Sequence, residues 1–373
     1  MIEFSLWLVS AAFLLAHLAS VGLYLHRLRQ KPPVGLIGQP MISLLRPVCG
    51  LDSHDAETLA SSFLQNYPDY EILFCAARAD DAAVPLLRRL ILENPLVPAR
   101  ILIGDTDHCA NPKLDNVWKG WIAARSDWIC MADANLLLPP NYLATLVQCW
   151  GPNTGLVSSP AIGTRPIGAG GHLEAAFLNS NQARLQFAGD SLGKGYAQGK
   201  TLFFNRPVLE RAGGLVALHC HLAEDASATI AIRSLGMRVS LPCLPYEQPI
   251  GRKSLQQVWK RQLRWSHLRH EAFPLLFYGE IVNGALVPTC LFAAASAFTG
   301  APISLLLAWI LIWYGVEAIL IHCAGWPAKL ADFIALPARD LLLPALWGAT
   351  FLTKGFEWRG TVTVPSVADS VNA

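Results

Sequence analysis

The chain has 373 residues, 53% of them hydrophobic and only 15% charged, against about 25% charge in an ordinary soluble domain. Part of it therefore faces lipid, and disorder is excluded. Lys and Arg total 29 against 27 Asp and Glu, a net charge of +2 that offers no basic field to a nucleic acid. Nine cysteines without a CxxC pair exclude a secreted disulfide scaffold and fit reduced thiols facing the cytosol.

In chain order, residues 4–25 form an apolar run broken only by His17 and small polar residues. It meets the roughly 20 residues that a spanning helix needs. Arg27, Arg29 and Lys31 follow and place that end in the cytoplasm. A cleaved signal peptide fits poorly, because Met1-Ile2-Glu3 provides no basic n-region. Residues 1–31 are thus an anchor, with Pro32, Pro33 and Gly35 as a hinge.

Residues 32–250 have soluble composition. Short β-rich runs at 42–45, 70–75, 100–103, 128–131 and 155–158 alternate with amphipathic stretches at 56–64, 84–92, 114–124 and 141–149. That alternation predicts an α/β domain with a mostly parallel sheet covered by helices. Residues 251–272 predict a basic, Trp-bearing interfacial helix. The 273–373 region returns to apolar composition, with candidate spans at 275–298 and 303–323 joined by a turn at 299–302. Each carries one carboxylate, Glu280 or Glu317. A charge inside a span faces protein or water, and Glu280 reads as interfacial. Residues 341–352 fit a tilted span, a re-entrant piece or a surface helix.

In an open parallel sheet, ligands bind beyond the carboxyl ends of the strands. Asp81 follows the second run and suits either a nucleoside hydrogen bond or a helix N-cap. Asp133 and Asn135 follow the fourth; side chains two apart on extended chain point the same way, so they suit one hard cation, Mg²⁺ or Mn²⁺, or a turn. Glu224 and Asp225 precede a helical run at 226–235 and suit either an N-cap or a base taking a proton from an alcohol. Arg261 and Arg264 lie three apart on one helical face, within reach of one anion.

Three decoys fall away. Gly199-Lys200-Thr201 resembles the end of a P-loop, but Lys194 stands where its first Gly belongs and a strand, Leu202-Phe203-Phe204, follows. His219-Cys220-His221 has no second cluster at zinc spacing. The first strand leads to Pro47-Val48-Cys49-Gly50 without GxGxxG, which disfavours an oxidoreductase.

Taken in order, Asp81, Asp133, Glu224-Asp225 and Arg261-x-x-Arg264-Trp265 resemble the D, D, D, (Q/R)xxRW series of family 2 and family 21 membrane glycosyltransferases, and most closely the ceramide glucosyltransferases. The stretches at 46–52, 66–71, 111–116, 212–215 with 223–225, and 261–265 match that family's pattern, so the resemblance covers about 40–270. It implies a GT-A-like nucleotide-sugar domain between membrane helices. It also implies inverting transfer of glucose from UDP-glucose to the primary hydroxyl of ceramide, in a multi-pass protein whose catalytic domain is cytoplasmic, at the inner membrane if bacterial. By position, Asp81 would contact uridine, Asp133 with Asn135 the metal, and Lys113 and Glu224 the donor. Asp225 would be the general base, and Arg261, Arg264 and Trp265 would close over diphosphate and acceptor. Asn135 replaces the second acid of many relatives, and hopanoid or diacylglycerol acceptors with UDP-GlcNAc or UDP-galactose are the alternative. A protein that only binds nucleotide sugar is the non-enzymatic rival.

Overall fold

The computed structural model describes residues 2–31, 38–104, 108–109, 111–219, 221–353, 355–358 and 361–363; the expected hinge at Pro32, Pro33 and Gly35 lies outside them. The chain divides into two compact units. One is Gln30–Ile162 with Gly189–Gly251, the other Met1–Arg29, Gly163–Ala188 and Arg252–Ala373. Residues 163–188, expected within one continuous 32–250 domain, group with the latter. The reason is apolar packing: Leu173 and Phe177 join Val258, Leu343 and Leu346 in one buried cluster.

Strands in chain order are β1 (Ile42–Val48), β2 (Tyr70–Ala76), β3 (Ala99–Ile103), β4 (Trp128–Ala132), β5 (Thr154–Ser158), β6 (Ala161–Ile167), β7 (Thr201–Asn205), β8 (Arg238–Ser240) and β9 (Tyr246–Arg252). The first unit is built on a seven-stranded sheet ordered β3-β2-β1-β4-β7-β5-β8. Every residue of β1 and β2 is buried, which is why they read as largely apolar rather than alternating, with Ser43, Arg46 and Glu71 as buried polar exceptions. The sheet is mostly parallel, but β7 runs antiparallel to both β4 and β5. Its register pairs Ala132 with Thr201, so the chain entering β7 lies beside the chain leaving β4.

The crossover helices fall near the expected places, at Asp55–Ala60, Ala83–Glu93, Pro112–Ala123 and Tyr142–Gln148. Helix Pro112–Ala123 starts where Asn111 caps it, its side-chain oxygen accepting from the Lys113 and Leu114 amides at 2.9 and 3.1 Å, with Pro112 at the first helical position. Leu44, Phe74, Leu87, Leu143 and Leu146 are among the fully buried core, each contributing about 1.5–3 kcal/mol on leaving water.

The second unit is helical. Glu3–Leu28 and Ile303–Cys323 are long and apolar enough to cross a membrane. The expected single span at 275–298 is instead broken: Pro274–Val282 and Leu286–Thr299 meet at 52°. The break centres on Gly284, where a Cβ would come within 2.8 Å of Asp340 Oδ1 and Leu343 Cδ1. Asp340 Oδ2 accepts from the Ala285 amide at 3.0 Å, satisfying a helix-start donor that would otherwise be orphaned. Residues 341–352 belong to a longer helix, Leu330–Leu352, which continues through Pro337 and Pro344.

A buried polar network joins these helices. Arg339 meets Glu317 through two parallel bonds of 2.9 and 3.1 Å and meets Asp340 at 2.7 Å. Its Nη1 also donates to the Ser180 hydroxyl. Arg184 donates to Ser20 Oγ at 2.6 Å and contacts His17 Nδ1 at 2.8 Å, while His17 Nε2 lies 3.1 Å from the Trp313 carbonyl. Glu317 thus faces protein, in a site where two guanidinium groups balance two carboxylates.

Candidate active site

The acids expected to do chemistry lie where sheet topology brings chain ends together. Asp133 leaves β4, and its amide donates to the Lys200 carbonyl at 3.2 Å. The turn it opens is held from beneath by Arg46, fully buried on β1, whose Nη2 donates to the carbonyls of Thr58, Ala134 and Leu136 at 2.9, 3.1 and 3.1 Å. Thr58 adds a 2.6 Å bond to the same Ala134 carbonyl.

Lys113 joins two of the acids. Its ammonium lies 2.7 Å from Asp133 Oδ1 and 2.7 Å from Glu224 Oε1, and donates to the Gly199 carbonyl at 2.5 Å. Glu224 Oε2 accepts from Asn111 Nδ2 at 2.9 Å, so Asn111 both caps the helix bearing Lys113 and fixes Lys113's partner. Burial disfavours the Lys113 charge, but Asp133 and Glu224 outweigh it and raise its pKa. Burial likewise opposes ionisation of Asp133, yet Lys113 and Lys200 hold its carboxyl well below the usual carboxylate range.

Asp225 is different. Burial, with the adjacent Glu224 charge, pushes its pKa up to about 6. Lys113 and the Gly199 and Ala226 amides, which donate to it at 2.7 and 2.8 Å, pull the other way without prevailing. Asp225 is thus pushed up in the same cluster where Asp133 is held down; environments that separate two carboxyl groups in this way are typical of acid–base sites.

Gly199 lies at the centre of the cluster. A Cβ there would stand 2.8 Å from Glu224 Oε1 and 3.1 Å from Lys113 Nζ. Lys200 follows, its Nζ 3.0 Å from Asp133 Oδ2 and 3.1 Å from Asn135 Oδ1. The decoy Gly199-Lys200 is therefore part of the site, as lead-in to a strand rather than as a P-loop. The sequence signal was present in the residues but needed the antiparallel β4–β7 register to be read. Asn111 and Arg46 were likewise seen within motifs, without their positioning roles.

Asp81 sits at the carboxyl end of β2. Its carboxylate accepts from the Gly50 amide at 2.9 and 3.1 Å and from the Ala83 amide at 2.8 Å, tying the loop after β1 to the helix after β2. Both its expected readings, nucleoside contact and helix-start acceptor, are compatible with that position. His219 and His221 flank Cys220, which lies outside the described residues; among the described residues no three His, Cys, Asp or Glu side chains are grouped to hold a metal.

Arg261, Arg264 and Trp265 belong to the other unit, on helix Leu255–Ala272. The helix begins at Ser254, through a capping box with Gln257, rather than at the expected 251; Gly251 and Arg252 end β9. Arg261 is paired with the buried Glu174 at 2.7 Å. Arg264 and Trp265 are half-buried.

The sequence profile of glycosyl transferase family 21 matches residues 4–364. The chain belongs to that family. Among curated relatives, ceramide glucosyltransferase 1 of Caenorhabditis elegans is 25% identical over 263 residues, covering 70% of this chain and 56% of the relative. Ceramide glucosyltransferase 3 of the same organism is 22% identical over 333 residues, covering 87% and 72%. The chain thus spans little more than half the length of the first of these. A mannosyltransferase from Pyrobaculum calidifontis, solved in complex with GDP-Man and Mn²⁺, superposes with a TM-score of 0.53 at 19% identity, covering 91% of this chain and 99% of that one. The fold is GT-A-like.

Proposed function

We propose that this family 21 enzyme moves glucose from UDP-glucose to the primary hydroxyl of ceramide at a membrane surface, with inversion, giving glucosylceramide. The observation that carries the reading is the place of Asp225, whose carboxylate accepts from the Gly199 and Ala226 amides beside the Lys113–Asp133–Glu224 ion cluster, where burial and the Glu224 charge push its pKa up. The ceramide glucosyltransferase relatives supply the acceptor class, and the apolar helices fit an acceptor whose chains stay in the bilayer.

In the proposed reaction the acceptor oxygen forms a bond to the anomeric carbon as its proton passes to Asp225. The bond from that carbon to the diphosphate oxygen breaks on the opposite face, and UDP leaves with the electron pair. Lys113 supplies fixed positive charge near the leaving group, where such preorganised charge lowers the barrier most. Asp81 would meet the uridine, and Glu224 would orient Lys113.

The residues also fit a divalent cation. Asp133 Oδ2 and Asn135 Oδ1 converge on one positive point, held here by the Lys200 ammonium, and few protein oxygens beside a diphosphate suit Mg²⁺ or Mn²⁺. Held by these two oxygens, the cation would supply charge stabilisation to the leaving diphosphate. Arg27, Arg29 and Lys31 after the first span support a cytoplasmic catalytic unit in a multi-pass protein.

The test offers labelled UDP-glucose, UDP-galactose and UDP-GlcNAc to membranes holding the protein, with ceramide, hopanoid and diacylglycerol acceptors in parallel. Mass spectrometry of extracted lipid is expected to find hexosylceramide with UDP-glucose. A product confined to another lipid or another sugar overturns the assignment.

A further inference from the structure

The reaction above leaves the Lys200 ammonium without a role. Its ammonium lies where a cation shared by Asp133 and Asn135 would lie, at 3.0 and 3.1 Å from their oxygens. It is 13% exposed and fixed at the entry to β7, where the Asp133 amide bonds its own carbonyl at 3.2 Å. That bond ties the Lys200 main chain to Asp133, while its long side chain has the rotatable bonds to swing. A divalent ion and an ammonium cannot share that point, since like charges at bonding distance repel strongly.

We infer that Lys200 is the resting cation of the site, displaced from Asp133 and Asn135 when a divalent metal enters and then free to meet the nucleotide's diphosphate. The inference rests on the reading of Asp133 and Asn135 as metal ligands. It makes metal and nucleotide binding mutually dependent. Metal alone must break the Lys200 contacts without recompense, whereas with nucleotide present the displaced ammonium gains phosphate oxygens. Linkage requires each ligand to tighten the other by the same factor. Lys113 takes no part in this exchange, because Glu224 and the Gly199 carbonyl retain it.

The experiment measures Mn²⁺ affinity by electron paramagnetic resonance on the full chain in detergent, with and without UDP. The set comprises wild type, Lys200→Met, Lys200→Gln, Lys200→Arg and Asp133→Asn, each checked for folding by circular dichroism. Without nucleotide, Lys200→Met and Lys200→Gln are expected to bind Mn²⁺ about tenfold or more tighter than wild type, roughly one charge-assisted contact. Lys200→Arg should stay near wild type. UDP should tighten Mn²⁺ in wild type and much less in the two neutral variants. Equal nucleotide-free affinity in wild type and both neutral variants, with Asp133→Asn still losing Mn²⁺, overturns the Lys200 inference alone. Mn²⁺ affinity indifferent to Asp133→Asn overturns the ligand assignment beneath it.

Discussion

Replacing Asp225 by Asn removes the proposed base while keeping its shape. In the wild type each carboxylate oxygen accepts one backbone N–H, from Gly199 at 2.7 Å and from Ala226 at 2.8 Å. An Asn retains one acceptor and turns its NH₂ toward the other amide, so one bond is lost locally, at a cost of about 1–3 kcal/mol. Removing the charge also relieves repulsion from Glu224, which offsets part of that cost. The variant should therefore fold and bind UDP within a few-fold of wild type. Turnover should fall by about 10²–10⁴, the usual value of a general base, or about 2.7–5.4 kcal/mol on the barrier at 1.36 kcal/mol per tenfold. The wild-type pH profile gives the sign independently. Only the ionised carboxylate accepts the proton, so kcat/KM should rise about tenfold per pH unit up to about pH 6 and then level. Turnover would be followed with UDP-glucose and ceramide in nanodiscs, and UDP affinity by calorimetry. An Asn variant keeping more than a tenth of wild-type turnover, or an acidic limb centred near 4, would refute the role of Asp225.

Other outcomes follow from the same contacts. Gly199→Ala forces a Cβ to 2.8 Å from Glu224 Oε1; the flexible carboxylate and ammonium ends can yield, so the protein should fold while turnover drops at least about tenfold, measured beside an unchanged melting temperature. Lys113→Met leaves Glu224 and Asp133 without their shared cation, which should push the Asp225 pKa higher still and shift the acidic limb of the pH profile upward; a limb that stays put would separate Lys113 from Asp225. In the helical unit, Glu317→Gln leaves Arg339 short of a charge partner and should cost about 3–5 kcal/mol, seen as a lower unfolding temperature in detergent, whereas Glu280→Gln, partly exposed beside Arg269, should cost under about 1 kcal/mol.

The crossover strands and helices were legible because β1, β2 and β4 announce themselves as short apolar runs with amphipathic helices between them. The acids were legible because they follow those runs directly. Lys200 was not. Its place in the site depends on β7 running antiparallel beside β4, and a hydrophobic run such as Thr201–Asn205 carries no mark of direction or neighbour. Arg46 was hidden for a related reason: an arginine inside a buried strand reads as an anomaly until the carbonyls of Thr58, Ala134 and Leu136 are folded around it. Glu317 was recognisable as a buried charge, but its partner Arg339 belongs to a helix whose two prolines, Pro337 and Pro344, conceal its continuity. The break at Gly284 was missed because it is set by Asp340, more than fifty residues away in sequence.

The most direct test of a base-assisted, single-displacement transfer is the anomeric configuration of the lipid product made from UDP-glucose, whose sugar is α-linked. Nuclear magnetic resonance of the purified glycolipid should give a β-glucoside. An α-glucoside would mean that the acceptor does not attack opposite the departing diphosphate, and the role assigned to Asp225 would fall with it.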